Sequence, residues 1–421
     1  MIDDKTARAF APTSPPSVPP SLDDEVPAPA PAPARARVKP IDRPWTADGG
    51  PMATGLLAKA HEQRLVFTGT GAEYFRLWIV NTLLTLATLG IYSAWAKRRK
   101  ARWFARHTLL AGEPFDFHGD PRRILVGRVL ALTLLVCYGH AFEWSRAAGF
   151  VMLAVLYGLG PMLFAGAQRF KLGNTSWRGV RFGFQASAPV VYASCLPLLV
   201  AWTVASIGAS MGLNRYVIGL VALGVSLLFP LAHGWLKRFQ HRHARYGERS
   251  FSFDLPVREF YGLYLALVGL MFLAGLAAFV VSALVVWGVQ SVGGPKVTGV
   301  RLLASLVTMG VVWMIGWPVY IARLQKLIWN NTRLEGGIEF RYDLPAMKLF
   351  GTLAVHGLLT VLTLGLYWPF LAVRLARLRV AGMTVLSDEP VGTMRVRAAS
   401  TGRRGAAGDG VADAFGLDIG W

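Results

Sequence analysis

Residues 263–288 carry no charge at all, and as far as residue 299 the one charged side chain is Lys296. A helix of about 20 predominantly apolar residues is long enough to cross the hydrocarbon of a bilayer. Comparable apolar runs occupy roughly 124–142, 147–167, 187–209, 216–236 and 301–322. The whole chain of 421 residues is 53% hydrophobic and 16% charged, where soluble domains carry about a quarter charged residues. The expected fold is therefore an all-α polytopic membrane bundle of six to eight transmembrane helices.

The net charge is +20, from 44 Lys and Arg against 24 Asp and Glu. Most of the basic residues flank apolar runs. Their expected partner is the bilayer, through anionic headgroups of the cytoplasmic leaflet. Nucleic acid is not expected, because neither zinc-finger nor RNP-type spacing occurs. Cys137 and Cys195 both sit inside apolar runs, where free cysteine behaves as a small hydrophobe. No pair of Cys or His stands at metal-ligand spacing, so neither a metal nor another cofactor is expected.

The first 60 residues are rich in Pro and Ala and have almost no large apolar side chains. Such a segment cannot offset its ordering entropy, so a disordered cytoplasmic tail is expected over 1–60. A Gly/Ala/Arg-rich tail of the same kind is expected over 386–421, leaving 61–385 as the membrane domain. The tails are where a protein partner would dock.

Between the apolar runs a frame recurs: "HTLLAGEPFDF" (107–117), "NTSWRGVRFGF" (174–184), "HARYGERSFSF" (243–253) and "NTRLEGGIEFRY" (331–342, one residue longer). Each begins with His or Asn, has Gly near its middle and ends aromatic–x–aromatic. Lys and Arg precede each one. Alternation puts both rings on one face of an extended segment. These cytoplasmic strand-like segments could lie on the bilayer interface. Alternatively they could pair into a small sheet, which the hazard of open edges favours. Two apolar runs separate each frame from the next, so all four fall on one side. The positive-inside rule makes that side cytoplasmic.

Two further apolar segments, 77–96 and 349–373, share one word: "TLGIY" at 88–92 and "TLGLY" at 363–367. Lys97, Arg98, Arg99 and Lys100 follow the first, and Arg374, Arg377 and Arg379 the second. Basic residues flank both ends of each segment. Either each crosses once, with Thr88 and Thr363 bonding a preceding carbonyl and Tyr92 and Tyr367 anchoring at the interface. Or each breaks near Gly90 and Gly365 and re-enters, as half-helices framing binding sites do.

The segment "FTGTGAEYFRLWIVNTLLTLA" before the first word, "KRRK" soon after it, "FDFHG" beyond, and the second copy "TLGLYWPF" together resemble the YjgN family of bacterial inner-membrane proteins. The resemblance covers about 65–384. It implies a polytopic inner-membrane protein and leaves activity open, since the family's core is a domain of unknown function.

Ionisable groups inside hydrocarbon cost several kcal/mol and are functional candidates. His140, His233 and His356 lie in apolar segments. Three such imidazoles could form a proton relay or a metal site, or simply bond across helices, and His140 and His233 should differ in depth. Asn81 could line a polar path or tie helices together. Arg128 should snorkel to the headgroups, with Lys97, Arg98, Arg99, Lys100, Lys237 and Arg238 as headgroup contacts. Pro161, Pro189, Pro197, Pro230 and Pro318 interrupt spans. No nucleophile elbow, P-loop, H-E-x-x-H or carboxylate pair occurs, so no catalytic residues are expected and enzyme activity is not. What remains is a transporter or channel for a small solute, or a scaffold or lipid- and partner-binding envelope protein.

Overall fold

The computed structural model describes residues 61–210, 214–291, 297–394 and 396. The tail expected over 1–60 lies outside them, as does the second tail from 397 onward. Helix pairs alternate with strands. After β1 (His61–Arg64) and β2 (Val66–Phe67) come α1 (Gly71–Ala87), α2 (Ser93–Arg106), β3 (Thr108–Leu110) and β4 (Glu113–Phe117). The order recurs with α3 (Pro121–Trp144), α4 (Arg146–Asn174), β5 (Thr175–Trp177) and β6 (Val180–Phe184), then α5 (Ala188–Ser210), α6 (Arg215–Arg242), β7 (Ala244–Tyr246) and β8 (Arg249–Phe253). It continues with α7 (Arg258–Ser291), α8 (Val297–Trp329), β9 (Thr332–Leu334) and β10 (Ile338–Tyr342), and ends with α9 (Ala346–Leu362), α10 (Trp368–Ala381) and β11 (Met383–Ser387).

The all-α expectation needs correcting. The strand-like segments pair with one another into a sheet of order β1-β11-β10-β9-β8-β7-β6-β5-β4-β3-β2. Its two ends, β1 and β2, are one run of chain bent at Leu65, so the sheet closes on itself. Closure removes every free edge, which short strands on their own could not protect. Tight turns follow from the sequence. Ala111 and Gly112, and Arg178 and Gly179, take positive φ in two-residue loops, as hairpins with right-handed strand twist require. The longer frame at 331–342 spends its extra residue in the turn, where Gly336 and Gly337 both have positive φ. The fifth hairpin has no turn: β11 and β1 come from opposite ends of the chain.

The barrel interior is a stack of apolar side chains. Phe115 faces Trp177, Phe182 faces Tyr246, Phe251 faces Leu334 and Phe340 faces Val385 across the strands. These residues, with Leu65 and Leu110, belong to one cluster. The segment after β11 closes over it: Val391 and Met394 are buried in the same cluster, and Arg178 Nη1 donates to both their carbonyls at 3.3 Å. The expected tail boundary at Leu386 thus falls inside β11, because this stretch covers apolar surface that the barrel leaves open.

Above this layer the second aromatic of each frame wedges between helices. Phe67, Phe117, Phe184, Phe253 and Tyr342 each share a buried cluster with the residue seven positions on: Tyr74, Ile124, Val191, Phe260 and Leu349. One backbone bond also recurs five times: Thr68 N–H to the His107 carbonyl, then His118 to Asn174, Gln185 to His243, Asp254 to Asn331 and Asp343 to Gly382, at 2.8–3.3 Å. The His or Asn that opens each frame caps a helix C-terminus. His107, Asn174, His243 and Asn331 each bond the carbonyl four residues back, at 2.7–2.9 Å, satisfying an otherwise orphaned acceptor. Consecutive helices pack together and α10 packs on α1, so the helices also form a closed ring.

Five helices among the described residues are long and apolar enough to cross a membrane: α3, α4, α7, Tyr216–Arg242 of α6 and Gly299–Trp329 of α8. The apolar runs of the sequence predict six to eight. The 23-residue α5 occupies the remaining expected span, while α1 and α9 have 17 residues each. The helices continue through Pro161, Pro197, Pro230 and Pro318.

Candidate functional site

The two T-L-G words are turns that fold each segment back on itself. At the end of α1, Leu89 and Gly90 take φ of 50° and 92°; at the end of α9, Leu364 and Gly365 take 52° and 91°. Gly90 N–H donates to the Thr85 carbonyl at 2.8 Å, and Gly365 N–H to that of Thr360 at 2.7 Å. Thr88 Oγ1 donates to the Leu84 carbonyl and accepts the Tyr92 N–H; Thr363 does the same between Leu359 and Tyr367. Each segment is thus a hairpin with both ends at the barrel, broken near Gly90 and Gly365 as the second alternative has it. Leu89 and Leu364 at the tips are 95% exposed. From the level of Tyr74 and Leu349, α1 and α9 run thirteen residues to Ala87 and Leu362, about 20 Å. From the equivalent level at Ile124, α3 runs twenty residues to Trp144, about 30 Å. Two adjacent short hairpins therefore make a low sector in the ring.

A cavity of about 910 Å³ is bounded by α1 and α2 of the first short hairpin and by α3 and α4. Its α1 wall is the stripe Tyr74, Trp78, Asn81, Thr82 and Thr85, spaced at three and four residues as one helix face demands. Lys97 and Lys100 of α2, Arg128 of α3 and Lys171 of α4 supply its charge, and among the described residues none that lines it is acidic. Its floor is the top of the barrel, at Leu65, Phe115 and Phe117; at its other end stand Leu86, Ser93 and Trp368, at the hairpin tips.

The basic burst after the first T-L-G word is divided between two faces of α2. Arg102 and Arg106 turn to the barrel and bond Asp116, Arg106 through both Nε and Nη2 at 3.2 and 3.1 Å. Burial alone would raise the Asp116 carboxyl. The Arg106 hydrogen bond, the Phe117 N–H and the charges of Arg106 and Arg102 outweigh it and hold the group below the usual carboxylate range. Lys97 and Lys100 face the cavity instead.

Asn81 is buried, at 6% exposure, and its Oδ1 has no hydrogen-bond partner among the described residues. Arg128, expected among the headgroups, lines the cavity and bonds the Ser93 hydroxyl. Arg99 and Lys100 are exposed; Arg98 is half-buried, with Nε unpartnered among the described residues. Arg238 is half-buried in the same manner. Lys237, expected at the lipid surface, is 2% exposed. Its position on α6 shares an inward stripe with His233, Gln240 and His241, all buried, so the rule assigning flank lysines to headgroups fails there.

The three histidines are not brought together. His140 Nδ1 bonds Glu143 at the far end of α3, 2.8 Å away. His233 Nδ1 meets Tyr264 Oη at 3.1 Å, which meets Tyr320 Oη at 3.3 Å, linking α6, α7 and α8. His356 Nδ1 meets Tyr367 Oη at 3.1 Å within the second hairpin. Among the described residues no group of His, Cys, Asp and Glu could hold a metal. Of the residues named for a polar path, Asn81 lines the cavity, whereas Thr88, Gly90, Tyr92, Thr363, Gly365 and Tyr367 build the turns beside it. Gln168 was missed from the sequence, and Lys171 was read only as a basic residue preceding a frame; both are on the cavity wall. Their signal was a polar pair three residues apart at the inner end of an otherwise apolar helix.

The family described as "Bacterial protein of unknown function (DUF898)" matches residues 62–414. Inner membrane protein YjgN of Salmonella typhimurium is 25% identical over 340 residues, covering 74% of this chain and 86% of that protein. Proteins of the same name from Escherichia coli O157:H7 and K12 are 33% and 34% identical over 144 and 128 residues. These cover 32% and 29% of this chain, and 35% and 31% of the relatives. No solved structure matches the chain.

Proposed function

We propose, from the premise that the chain belongs to the bacterial DUF898 family of proteins of unknown function, that it is a multi-pass inner-membrane protein built from five copies of one helix-pair-and-hairpin unit, and that it takes an anionic solute into its basic cavity. Relatives named inner membrane protein and the long apolar helices support the location. The charge of the barrel-side loops supports a cytoplasmic barrel. The tips support the membrane reading as well. A non-glycine residue at positive φ costs about 1–2 kcal/mol, yet both tips keep leucine there. An apolar tip in hydrocarbon explains that choice.

One observation carries the functional reading: Lys97, Lys100, Arg128 and Lys171 line one cavity whose lining, among the described residues, includes no acidic group. Basic groups gathered around one cavity favour an anion there over a cation. A scaffold that worked only through its surface would have no use for the arrangement. The reading makes the protein a binder or carrier of an anion and needs no bond-making chemistry.

The test is thermal unfolding of the detergent-solubilised protein with alkyl probes of one chain length, bearing phosphate, trimethylammonium or maltose heads. A ligand binding the folded state raises the midpoint. The phosphate probe should raise it above the other two, and Lys97→Gln with Lys100→Gln should remove the difference. Equal effects from all three heads would overturn the proposal.

A further inference from the structure

We infer that the protein also acts on membrane shape. Its membrane domain is tapered, broader in the leaflet on the barrel side than in the far leaflet, and it gathers where the barrel-side leaflet is convex. This rests on the reading that the long helices cross the inner membrane, and is independent of what the cavity holds.

The chain marks the far interface for itself. At the outer end of α3, about 30 Å beyond Ile124, the His140–Glu143 pair and Arg146 stand exposed. Charges at that height belong to headgroups and water. The tips of the two short hairpins lie about 20 Å beyond Tyr74 and Leu349, and no Asp, Glu, Lys or Arg occurs in 77–96 or 349–373. Exposed at the turns are Leu89, Ile91, Leu364 and Leu366 instead. The tips therefore stop about 10 Å below the far headgroups, inside a hydrocarbon layer of about 30 Å. At 95% exposure, Leu89 and Leu364 are covered by no described residue. The chains of far-leaflet lipids cover them.

The four short helices are contiguous. Helix α10 packs on both α9 and α1, and α1 on α2, with α8 and α3 at the borders. Among the described residues ten helices start at the barrel, and six of them, α3 to α8, continue beyond the depth of the tips. With a helix about 10 Å across, the other four add about 300 Å² to the cross-section on the barrel side alone. A body that fills one leaflet more than the other has its lowest energy where that leaflet is expanded by curvature.

The depth of the two tips is matched by construction. Each short helix runs thirteen residues from its buried aromatic or leucine, Tyr74 or Leu349, to its last residue. The same turn then reverses both, with Thr88, Gly90 and Tyr92 recurring as Thr363, Gly365 and Tyr367. The helices themselves have diverged: laying Thr88 on Thr363 places Asn81 on His356. What the two hairpins hold in common is where they stop, and a fixed stopping depth is what a taper requires.

The experiment uses the full chain in a background lacking Cys137 and Cys195, reconstituted into giant vesicles of phosphatidylethanolamine and phosphatidylglycerol from which narrow tubes are pulled. A membrane-impermeant maleimide dye marks barrel-out molecules through Ala111→Cys and barrel-in molecules through Ser145→Cys. Relative to a lipid dye, barrel-out molecules should be enriched on the tubes and barrel-in molecules depleted. Leu89→Asp with Leu364→Asp, which makes hydrocarbon costly for the tips and leaves the barrel untouched, should abolish both effects. Equal density on tube and vesicle would overturn the inference. Sorting that survives the double substitution would assign it to the bulk of the barrel and overturn the inference too. A second measurement does without charged tips: a bimane on Leu89→Cys should be quenched more by lipid spin-labelled deep in its chains than by lipid spin-labelled at the headgroup. Quenching from headgroup depth alone would overturn the taper and leave the crossing helices standing. Quenching from neither depth would overturn the membrane reading with it.

Discussion

Thr88 holds Tyr92 in the first turn: its side-chain oxygen accepts the Tyr92 backbone N–H at 2.9 Å while donating to the carbonyl of Leu84. The same hydroxyl therefore ends one helix and starts the next. Gly90 completes the reversal at φ 92°, and a methyl group added there would meet nothing within 4 Å. Gly90→Ala should then cost about 1–2 kcal/mol through backbone conformation alone. Gly365→Ala should cost the same. Chemical unfolding in mixed micelles measures both, and a neutral result at both would show that the turns are not left-handed.

The aromatic wedges bear more of the fold. Phe253 and Phe260 are fully buried with Leu324 and Ile328. Phe253→Ala should destabilise by about 3–5 kcal/mol, the range for a large core aromatic. Leu265→Ala on an exposed face of α7 should change midpoint stability little in detergent. Comparable losses for the two would contradict the wedge.

Asp116 gives a pH signature. Its carboxyl is held below the usual range in the folded protein, so its contribution is present above about pH 4 and is lost as pH falls through the lowered value. Both partners are partly exposed, which limits the pair to about 1 kcal/mol or less. Asp116→Asn should lower the unfolding midpoint at pH 7, and the gap to wild type should close on acidification below pH 4. A gap that widens in acid would contradict the assignment.

Much of this was readable in the chain. The uncharged runs revealed the long helices, and the aromatic–x–aromatic frames revealed four of the hairpins. Asn81 stood out as an amide in apolar sequence and does line the cavity. The fifth unit was hidden because its strands lie at opposite ends of the chain and lack a turn, with Leu65 standing where the others have phenylalanine. Closure of the sheet could not be seen without it. Re-entry was ambiguous because a glycine near a helix end fits a crossing as well as a reversal. Lys237 misled because hydropathy counts a lysine beside an apolar run as surface, and takes no account of which face of α6 carries it.

The claim on which the rest depends is that every hairpin of the barrel lies on one side, with two helix pairs ending inside the bilayer. Single cysteines in a background lacking Cys137 and Cys195 test it directly, with a membrane-impermeant maleimide applied to intact spheroplasts and then after permeabilisation. Ala111, Glu248 and Glu335 in the barrel turns should label only after permeabilisation. Ser145, between α3 and α4, should label without it, and Leu89 and Leu364 in neither condition. Labelling of any barrel turn from outside, or of Leu89 before permeabilisation, would contradict the account.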